Sequence, residues 1–193
     1  MRQRIFLAIS FEEEIKEKLA KAIKEVAQTL PKNAKINWVK KKNLHLTLLF
    51  LGSLENKSLD RLYQIAEKTT KDFPPFWLTS QKIAFGPKKR FPPRLVWLEM
   101  KKNQQLPKLV TKLRNDITEA SISKRKEKQK FLPHITLGRI RNKPPAKKLE
   151  KKFVVKIRVK AIDVIASQPT KKGCKYTVLS SILLKLTQDE DRH

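Results

Sequence analysis

The chain carries one four-residue pattern twice, and both copies lie in segments that the sequence predicts as β-strands. Residues 43–48 read Asn-Leu-His-Leu-Thr-Leu and residues 132–137 read Leu-Pro-His-Ile-Thr-Leu, which puts His45 and His134 89 residues apart (134 − 45). Because side chains alternate across a strand, each copy presents a His and a Thr on one face and aliphatic side chains on the other. Two such strands side by side surround one cleft with two imidazoles and two hydroxyls, and leave an apolar back for helices to cover.

The remaining hydrophobic pattern predicts three amphipathic helices between the strands. Ser10-Phe11-Glu12-Glu13 has the spacing of a capping box, and the apolar stripe that follows it ends at Pro31. Two further helices are predicted over residues 58–70 and 106–117, and strands over residues 3–10, 36–39, 44–51, 76–85, 94–100, 131–140, 153–167 and 176–186. This order indicates an α+β fold with mostly antiparallel pairing in a single domain spanning residues 1–193, with a frayed tail at 188–193.

Composition narrows the classes of function. The 193 residues include 45 Lys and Arg against 18 Asp and Glu, a net charge of +27, which favours an anionic partner such as RNA or DNA. The alternative explanation of this charge is that Lys fills solvent-exposed positions without a partner.

Other counts exclude particular kinds of site. One Cys, Cys174, excludes a disulfide framework and a Cys-based zinc site, and four Gly leave no phosphate-binding glycine loop. No apolar run is long enough to span a membrane, and acidic residues directly after the short apolar run 5–9 argue against a signal peptide, so we expect a cytoplasmic location.

Two facing imidazoles suit general acid–base chemistry on a phosphodiester. A His side chain titrates near pH 6.5, so one ring can accept a proton from water while the other supplies one to the leaving oxygen. The hydroxyls of Thr47 and Thr136 can hold the other phosphate oxygens. A single His-x-Thr string is more often structural than catalytic, but the repeat favours catalysis. Because no carboxylate accompanies either His, we expect neither a metal ion nor another cofactor.

The two His-x-Thr tetrads about ninety residues apart resemble the signature of the 2H phosphoesterase superfamily. Their context is similar to the RNA 2′,3′-cyclic phosphodiesterase branch, historically called 2′–5′ RNA ligases. The similar stretches follow the expected order over nearly the whole chain: residues 4–9, 38–39, 44–52, 84–87, 95–98, 131–139, 162–167 and 173–176.

The resemblance implies a bilobal fold of two antiparallel sheets with helices on their outer faces, related by a pseudo-twofold axis about a central cleft. It implies hydrolysis of a 2′,3′-cyclic phosphate at an RNA end to a 2′-phosphate. His45 matches the proton donor to the departing 3′ oxygen, and His134 matches the proton acceptor that activates water. Thr47 and Thr136 match the phosphate-binding positions.

The resemblance adds two more candidate site residues. For both of them, strand alternation predicts a side chain on the face away from the cleft. Arg139 matches a phosphate-binding Arg, although alternation from His134 puts it on the opposite face unless Gly138 marks a bulge or the strand ends there. Phe50 matches a residue that stacks on a base at the cleft edge, whereas alternation places it on the apolar back and favours a core role.

Basic loops are the candidates for a grip on the RNA backbone. Lys88, Lys89 and Arg90 lie between Phe85 and Phe91, as base stacking requires, and a second basic run covers residues 124–126. The three Trp residues, Trp38, Trp77 and Trp97, are expected in the core, and Cys174 has no sequence neighbour that would make it a catalytic thiol. The partner that the resemblance implies is RNA with a cyclic phosphate end, including tRNA fragments, and we expect a monomer.

Two alternatives stay open at the level of sequence. A basic RNA-binding module could keep the fold and use its cleft only to hold phosphates, although a pure binder has no need of both imidazoles. A ligase or esterase acting on 2′–5′ linkages would use the same residues as the cyclic phosphodiesterase.

Overall fold

Three α-helices and ten β-strands make up the part of the chain that the computed structural model describes, residues 2–87, 92–123, 131–142, 148–170 and 173–185. The helices are α1 (Glu13–Thr29), α2 (Leu59–Thr70) and α3 (Gln105–Glu119). The strands are β1 (Arg2–Ser10), β2 (Ile36–Trp38), β3 (His45–Glu55), β4 (Phe76–Gly86), β5 (Leu95–Met100), β6 (His134–Ile140), β7 (Glu150–Lys152), β8 (Lys156–Val159), β9 (Ala161–Thr170) and β10 (Gly173–Leu183). The predicted tail at 188–193 lies outside the described residues.

All strands join one antiparallel sheet. Its order is β10-β9-β1-β3-β6-β5-β4-β7, with β2 on β6 and β8 on β4. The α+β class and the antiparallel pairing are confirmed. The two separate sheets that the resemblance implied are instead continuous, because Leu46 of β3 pairs with Ile135 of β6 at the centre.

The same connection occurs on both sides of this central pair. β1 leads into α1 and then, after β2, into β3, which is its antiparallel neighbour. β5 leads into α3 and then into β6, again its antiparallel neighbour. Each strand that carries a His-x-Thr string therefore lies at the middle of the sheet and begins with its His.

The three helices cover one face of the sheet. Their buried residues belong to the same cluster as the aliphatic side chains of the central strands, including Leu46, Leu48, Ile135 and Leu137. A fully buried aliphatic side chain of this size stabilises the fold by about 1.5–3 kcal/mol. On the opposite face, the described residues form a much smaller apolar cluster of Phe6, Ala8 and Ile165, with Tyr176 packed against it. The same face carries the His and Thr side chains of the two central strands.

Two local predictions are wrong. Ser10 does not cap α1, because its backbone stays extended in β1 opposite His45, and the helix begins at Glu13 without a side-chain cap. Trp77 is not in the core: it lies on β4 opposite Arg158, with 53% of its surface exposed and the Arg158 guanidinium 5.5 Å from its ring centre. No helix in the described ranges is long and apolar enough to cross a membrane.

Candidate active site

A bulge in β3 turns Phe50 onto the face of the sheet that carries His45. Thr47 and Leu49 pair with consecutive residues of β1, so Leu48 is skipped in the register. Leu48 and Leu49 are both buried, and the side-chain alternation is reversed beyond them. Phe50 is therefore 44% exposed and lines the same cleft as His45, which corrects the core position that alternation predicted.

The same irregularity occurs in β6 and turns Arg139 into the cleft. Thr136 and Gly138 pair with consecutive residues of β5, so Leu137 is skipped. The bulge is thus at Leu137, one residue before the glycine that the sequence suggested. Gly138 is small for another reason, since a Cβ there would lie 2.9 Å from Cε3 of Trp38. The bulge explains why Arg139 lines the cleft although it lies an odd number of residues after His134, which in a regular strand would put it on the opposite face.

One cleft collects all of these side chains. It has a volume of about 1360 Å³, larger than the roughly 300–1,000 Å³ of a typical small-molecule pocket. His45, Thr47, His134 and Thr136 all line it. Its charged lining residues within the described ranges are all cations: Lys40, Lys42, Arg139, Arg141 and Lys175. Such a lining attracts an anionic ligand.

The two imidazoles are held in the same way. Nδ1 of His45 lies 2.7 Å from the carbonyl oxygen of Asn43, and Nδ1 of His134 lies 2.7 Å from that of Leu132. A carbonyl only accepts, so each Nδ1 carries the proton and donates it. In the neutral ring Nε2 is then the unprotonated nitrogen, and in the charged ring it is a donor. Each residue can therefore accept or release a proton at Nε2.

Different groups surround the two rings. His45 Nε2 lies 3.0 Å from Oγ1 of Thr47, and the ring packs against Phe6 and Tyr176 at centroid distances of 5.1 and 5.4 Å. The His134 ring packs against Trp97, with 4.7 Å between centroids. These aromatic contacts fix the orientation of each imidazole and reduce its hydration.

Burial and a shared cation act on both imidazoles in the same direction. Burial lowers the pKa of His45 and of His134 below the ordinary value, and the positive charge of Arg139 lowers both pKa values further. The charge on His134 also lowers the pKa of His45. The lowered pKa values favour the neutral form of both rings near neutral pH.

Tyr176 was not identified as a site residue from the sequence. Its ring contacts those of both Phe6 and His45 at the cleft wall, and burial raises the pKa of its hydroxyl. The side-chain amide of Asn43 donates to the carbonyl of Cys174 at 3.2 Å, which ties the start of β10 to the segment before His45. No sequence pattern indicates this contact, because it joins segments far apart in the chain.

Arg141 was also missed, although one signal was available. It follows Arg139 by two residues and therefore shares its strand face, beyond the bulge.

The basic residues Lys88, Lys89 and Arg90, like the run at 124–126, lie outside the described residues, so their contact with RNA stays a prediction.

Comparison with known proteins identifies similarity over most of the chain. The profile of the 2′-5′ RNA ligase superfamily matches residues 11–169. A Thermotoga maritima protein named RNA 2′,3′-cyclic phosphodiesterase is 30% identical over 141 residues, which is 73% of this chain and 72% of that protein.

Solved structures agree with this similarity. The protein TT0787 of Thermus thermophilus superimposes with a TM-score of 0.80 at 26% identity, covering 94% of this chain and 98% of that one. LigT of Escherichia coli, solved in complex with 3′-AMP, gives a TM-score of 0.79 at 28% identity, covering 96% of this chain and 100% of that one.

Proposed function

The chain belongs to the 2′-5′ RNA ligase superfamily, and from this premise we propose that it hydrolyses the 2′,3′-cyclic phosphate at the 3′ end of RNA to a 2′-phosphomonoester. The observation that carries the proposal is the pair of imidazoles, each with Nδ1 bonded to a backbone carbonyl and Nε2 left for proton transfer in one cationic cleft. The name of the T. maritima relative supports the same reaction.

The reaction consumes one water molecule and moves two protons. Nε2 of His134 takes a proton from water as the water oxygen attacks phosphorus. The bond between phosphorus and the 3′ oxygen breaks, and Nε2 of His45 donates its proton to that oxygen. The products are a 2′-phosphomonoester and a free 3′-hydroxyl, and solvent returns the two imidazoles to their starting states. Which His is acid and which is base follows the family resemblance.

Thr47, Thr136 and Arg139 hold the phosphate. Two hydroxyl donors and a guanidinium stabilise the negative charge that grows on the non-bridging oxygens in the transition state. Arg139 lines the same cleft as both imidazoles, and its positive charge lowers the pKa of each. Removing one such donor commonly costs a factor of about 10²–10³ in kcat.

Binding of the substrate favours the charged form of His45, the proposed acid. In the unliganded cleft the pKa of His45 is lowered, so this ring is mainly neutral at pH 7. A bound phosphate anion favours the charged imidazole and raises the pKa of both rings. The side chains of the cleft then supply acid, base and positive charge, so we propose that the reaction proceeds without a metal ion.

Phe50 is proposed to contact a base of the RNA end. Its ring is 5.9 Å from that of Phe6, and nearly half of its surface is exposed at the cleft. An exposed aromatic ring offers a stacking surface for any base, worth about 1–3 kcal/mol per base. A Phe50→Leu variant is therefore expected to raise KM for RNA and leave kcat nearly unchanged.

The direct test is incubation with an RNA oligonucleotide that ends in a 2′,3′-cyclic phosphate, in the presence of EDTA. The product end is identified by chromatography against authentic 2′- and 3′-phosphate standards. A 2′-phosphate product is expected, and a His134→Asn variant prepared in parallel excludes a contaminating nuclease. An oligonucleotide that binds but stays intact would overturn the proposal in favour of a binding module, and activity abolished by EDTA would overturn its metal independence.

A further inference from the structure

Asn37 holds the side chain of Arg141 at the cleft wall. With its amide oriented so that the oxygen faces the guanidinium, this oxygen accepts from Nη2 of Arg141 at 2.7 Å and from Nε at 2.8 Å. The backbone of Arg141 is fixed as well, since its N–H donates to the carbonyl of Lys35 at 2.8 Å. Within the described residues no carboxylate pairs with Arg141. Its remaining N–H donors are therefore pre-oriented and available for an anion.

The position of Arg141 relates it to the proposed phosphate site. Beyond the bulge at Leu137, Arg139 and Arg141 lie on the same face of the chain leaving β6, and both line the cleft. Two residues along a strand cover about 6.6 Å. Arg141 therefore lies one strand repeat beyond Arg139, on the side away from Thr136.

We propose that Arg141, positioned by Asn37, binds the phosphodiester on the 5′ side of the terminal nucleotide. The N–H groups of Nη1 and Nη2 that Asn37 does not occupy lie in the plane of the guanidinium. Two of them match the oxygens of a phosphate group, which they can bind through two parallel hydrogen bonds. A nucleoside 2′,3′-cyclic phosphate has no such phosphodiester. The substrate class that this site selects is thus an RNA strand of at least two nucleotides, and this rests on the proposed function because the cyclic phosphate must occupy the site of Thr47, Thr136 and Arg139.

The test compares two substrates that differ by one nucleotide. Besides its terminal cyclic phosphate, a dinucleotide substrate contains one phosphodiester, the linking one in question, and the matched nucleoside 2′,3′-cyclic phosphate lacks it. An Arg141→Gln variant is expected to lose about tenfold to a hundredfold in kcat/KM on the dinucleotide and less than about twofold on the nucleoside compound. Arg61→Gln, on the exposed surface of α2, is the matched control and should change neither.

A second substrate isolates the charge. Replacing the linking phosphodiester of the dinucleotide by an uncharged methylphosphonate should reduce kcat/KM of the wild type to that of Arg141→Gln, and should leave the variant unchanged. Asn37→Ala should show a smaller loss confined to the charged dinucleotide, mainly in KM, because it frees the guanidinium without removing it. Equal losses on all substrates, or no loss on the charged dinucleotide, would overturn the inference.

Failure of the proposed function is distinguishable from failure of this inference. If the wild type hydrolyses no cyclic phosphate, Kd for a fluorescent RNA with a 2′-phosphate end still reports on Arg141. The magnitude of the slope of log Kd against log salt concentration is then expected to fall by about 0.7 in Arg141→Gln, the value for one phosphate contact on a single strand. An unchanged slope would overturn the inference.

Discussion

Leu46 of β3 lies opposite Ile135 of β6, and through this pair the two halves of the sheet are joined. Because the pairing is antiparallel, it brings His45 to the position beside Thr136 and Thr47 to the position beside His134. Leu46 and Ile135 are themselves fully buried on the helix-covered face. The pairing of the buried aliphatic residues therefore sets the register of the His and Thr residues beside them. Each imidazole lies near the hydroxyl of the other strand.

Replacing either His by Asn should abolish most of the activity while the fold remains. Asn can still donate to the backbone carbonyl that holds Nδ1, but it cannot take up or release a proton. We expect kcat to fall by about 10²–10⁴ in His45→Asn and in His134→Asn. The double variant should be little worse than either single one, because residues that act as a unit are not additive.

Single-turnover kinetics on the cyclic-phosphate oligonucleotide measure this loss. Thermal unfolding of each variant serves as the control, since partly buried side chains on strand ends should leave the midpoint within a few degrees. A kcat within tenfold of the wild type in either variant would contradict the two-imidazole mechanism.

The pH dependence should differ between kcat/KM and kcat. His134 must be neutral to act as base, so activity falls as pH drops below its pKa, whereas His45 must be charged to act as acid, so activity falls as pH rises above its pKa. Burial and Arg139 lower both values in the free protein, so the bell for kcat/KM should be centred below about pH 6.5. The bound phosphate raises both pKa values, so the bell-shaped pH profile of kcat should be centred at higher pH than that of kcat/KM. Steady-state profiles between pH 4.5 and 9 should be compared, and coincident bells centred above about pH 7 would speak against this assignment.

Arg139 should control the titration of both imidazoles. Its positive charge disfavours their charged forms, so Arg139→Gln is expected to raise the pKa of His45 and of His134 and to lower kcat/KM by about 10²–10³. NMR titration of the His Cε1–H resonances measures the pKa values without turnover. Arg141→Gln is the control, since Arg141 lines the same cleft but is not among the charges that shift either His. Unchanged His titration in Arg139→Gln would show that Arg139 lies away from the reacting groups.

The hydrophobic pattern predicted the parts of this fold that depend on local periodicity. The stripe of Leu19, Ala22, Ile23 and Val26 is buried along α1, as its three- and four-residue spacing indicated. The His and Thr of each string share one strand face because they are two residues apart. These features follow from the geometry of a single helix or strand, so no knowledge of the neighbours was required.

The features that failed depend on the neighbouring strand. Leu48 and Leu137 are skipped because their partners in β1 and β5 continue without a gap, and nothing in the strings themselves reveals this. Phe50 was consequently assigned to the wrong face. Trp77 was assigned to the core because it is large and apolar, but its exposed ring on β4 packs against the guanidinium of Arg158.

Gly86 leaves room for the ring that supports His134, and filling that space should impair both stability and catalysis. A Cβ at Gly86 would lie 2.1 Å from Cε2 of Trp97 and 2.4 Å from its Cδ2. Trp97 is 5% exposed and its ring is 4.7 Å from that of His134. Gly86→Ala must displace the indole, which should destabilise the fold by about 1–3 kcal/mol and lower kcat. Urea unfolding and kinetics at a temperature where the variant is fully folded separate the two effects.

A compensating substitution distinguishes this steric cause from a general loss of order. Trp97→Phe removes the outer ring atoms of the indole, including Cζ2, which would lie 2.5 Å from the new methyl group, so the Gly86→Ala, Trp97→Phe double variant should recover part of the unfolding free energy that Gly86→Ala loses. Residues in contact commonly show coupling free energies of about 0.5–3 kcal/mol. Strictly additive effects in this cycle would mean that Gly86 and Trp97 do not act on each other, and that the indole is held against His134 by other contacts.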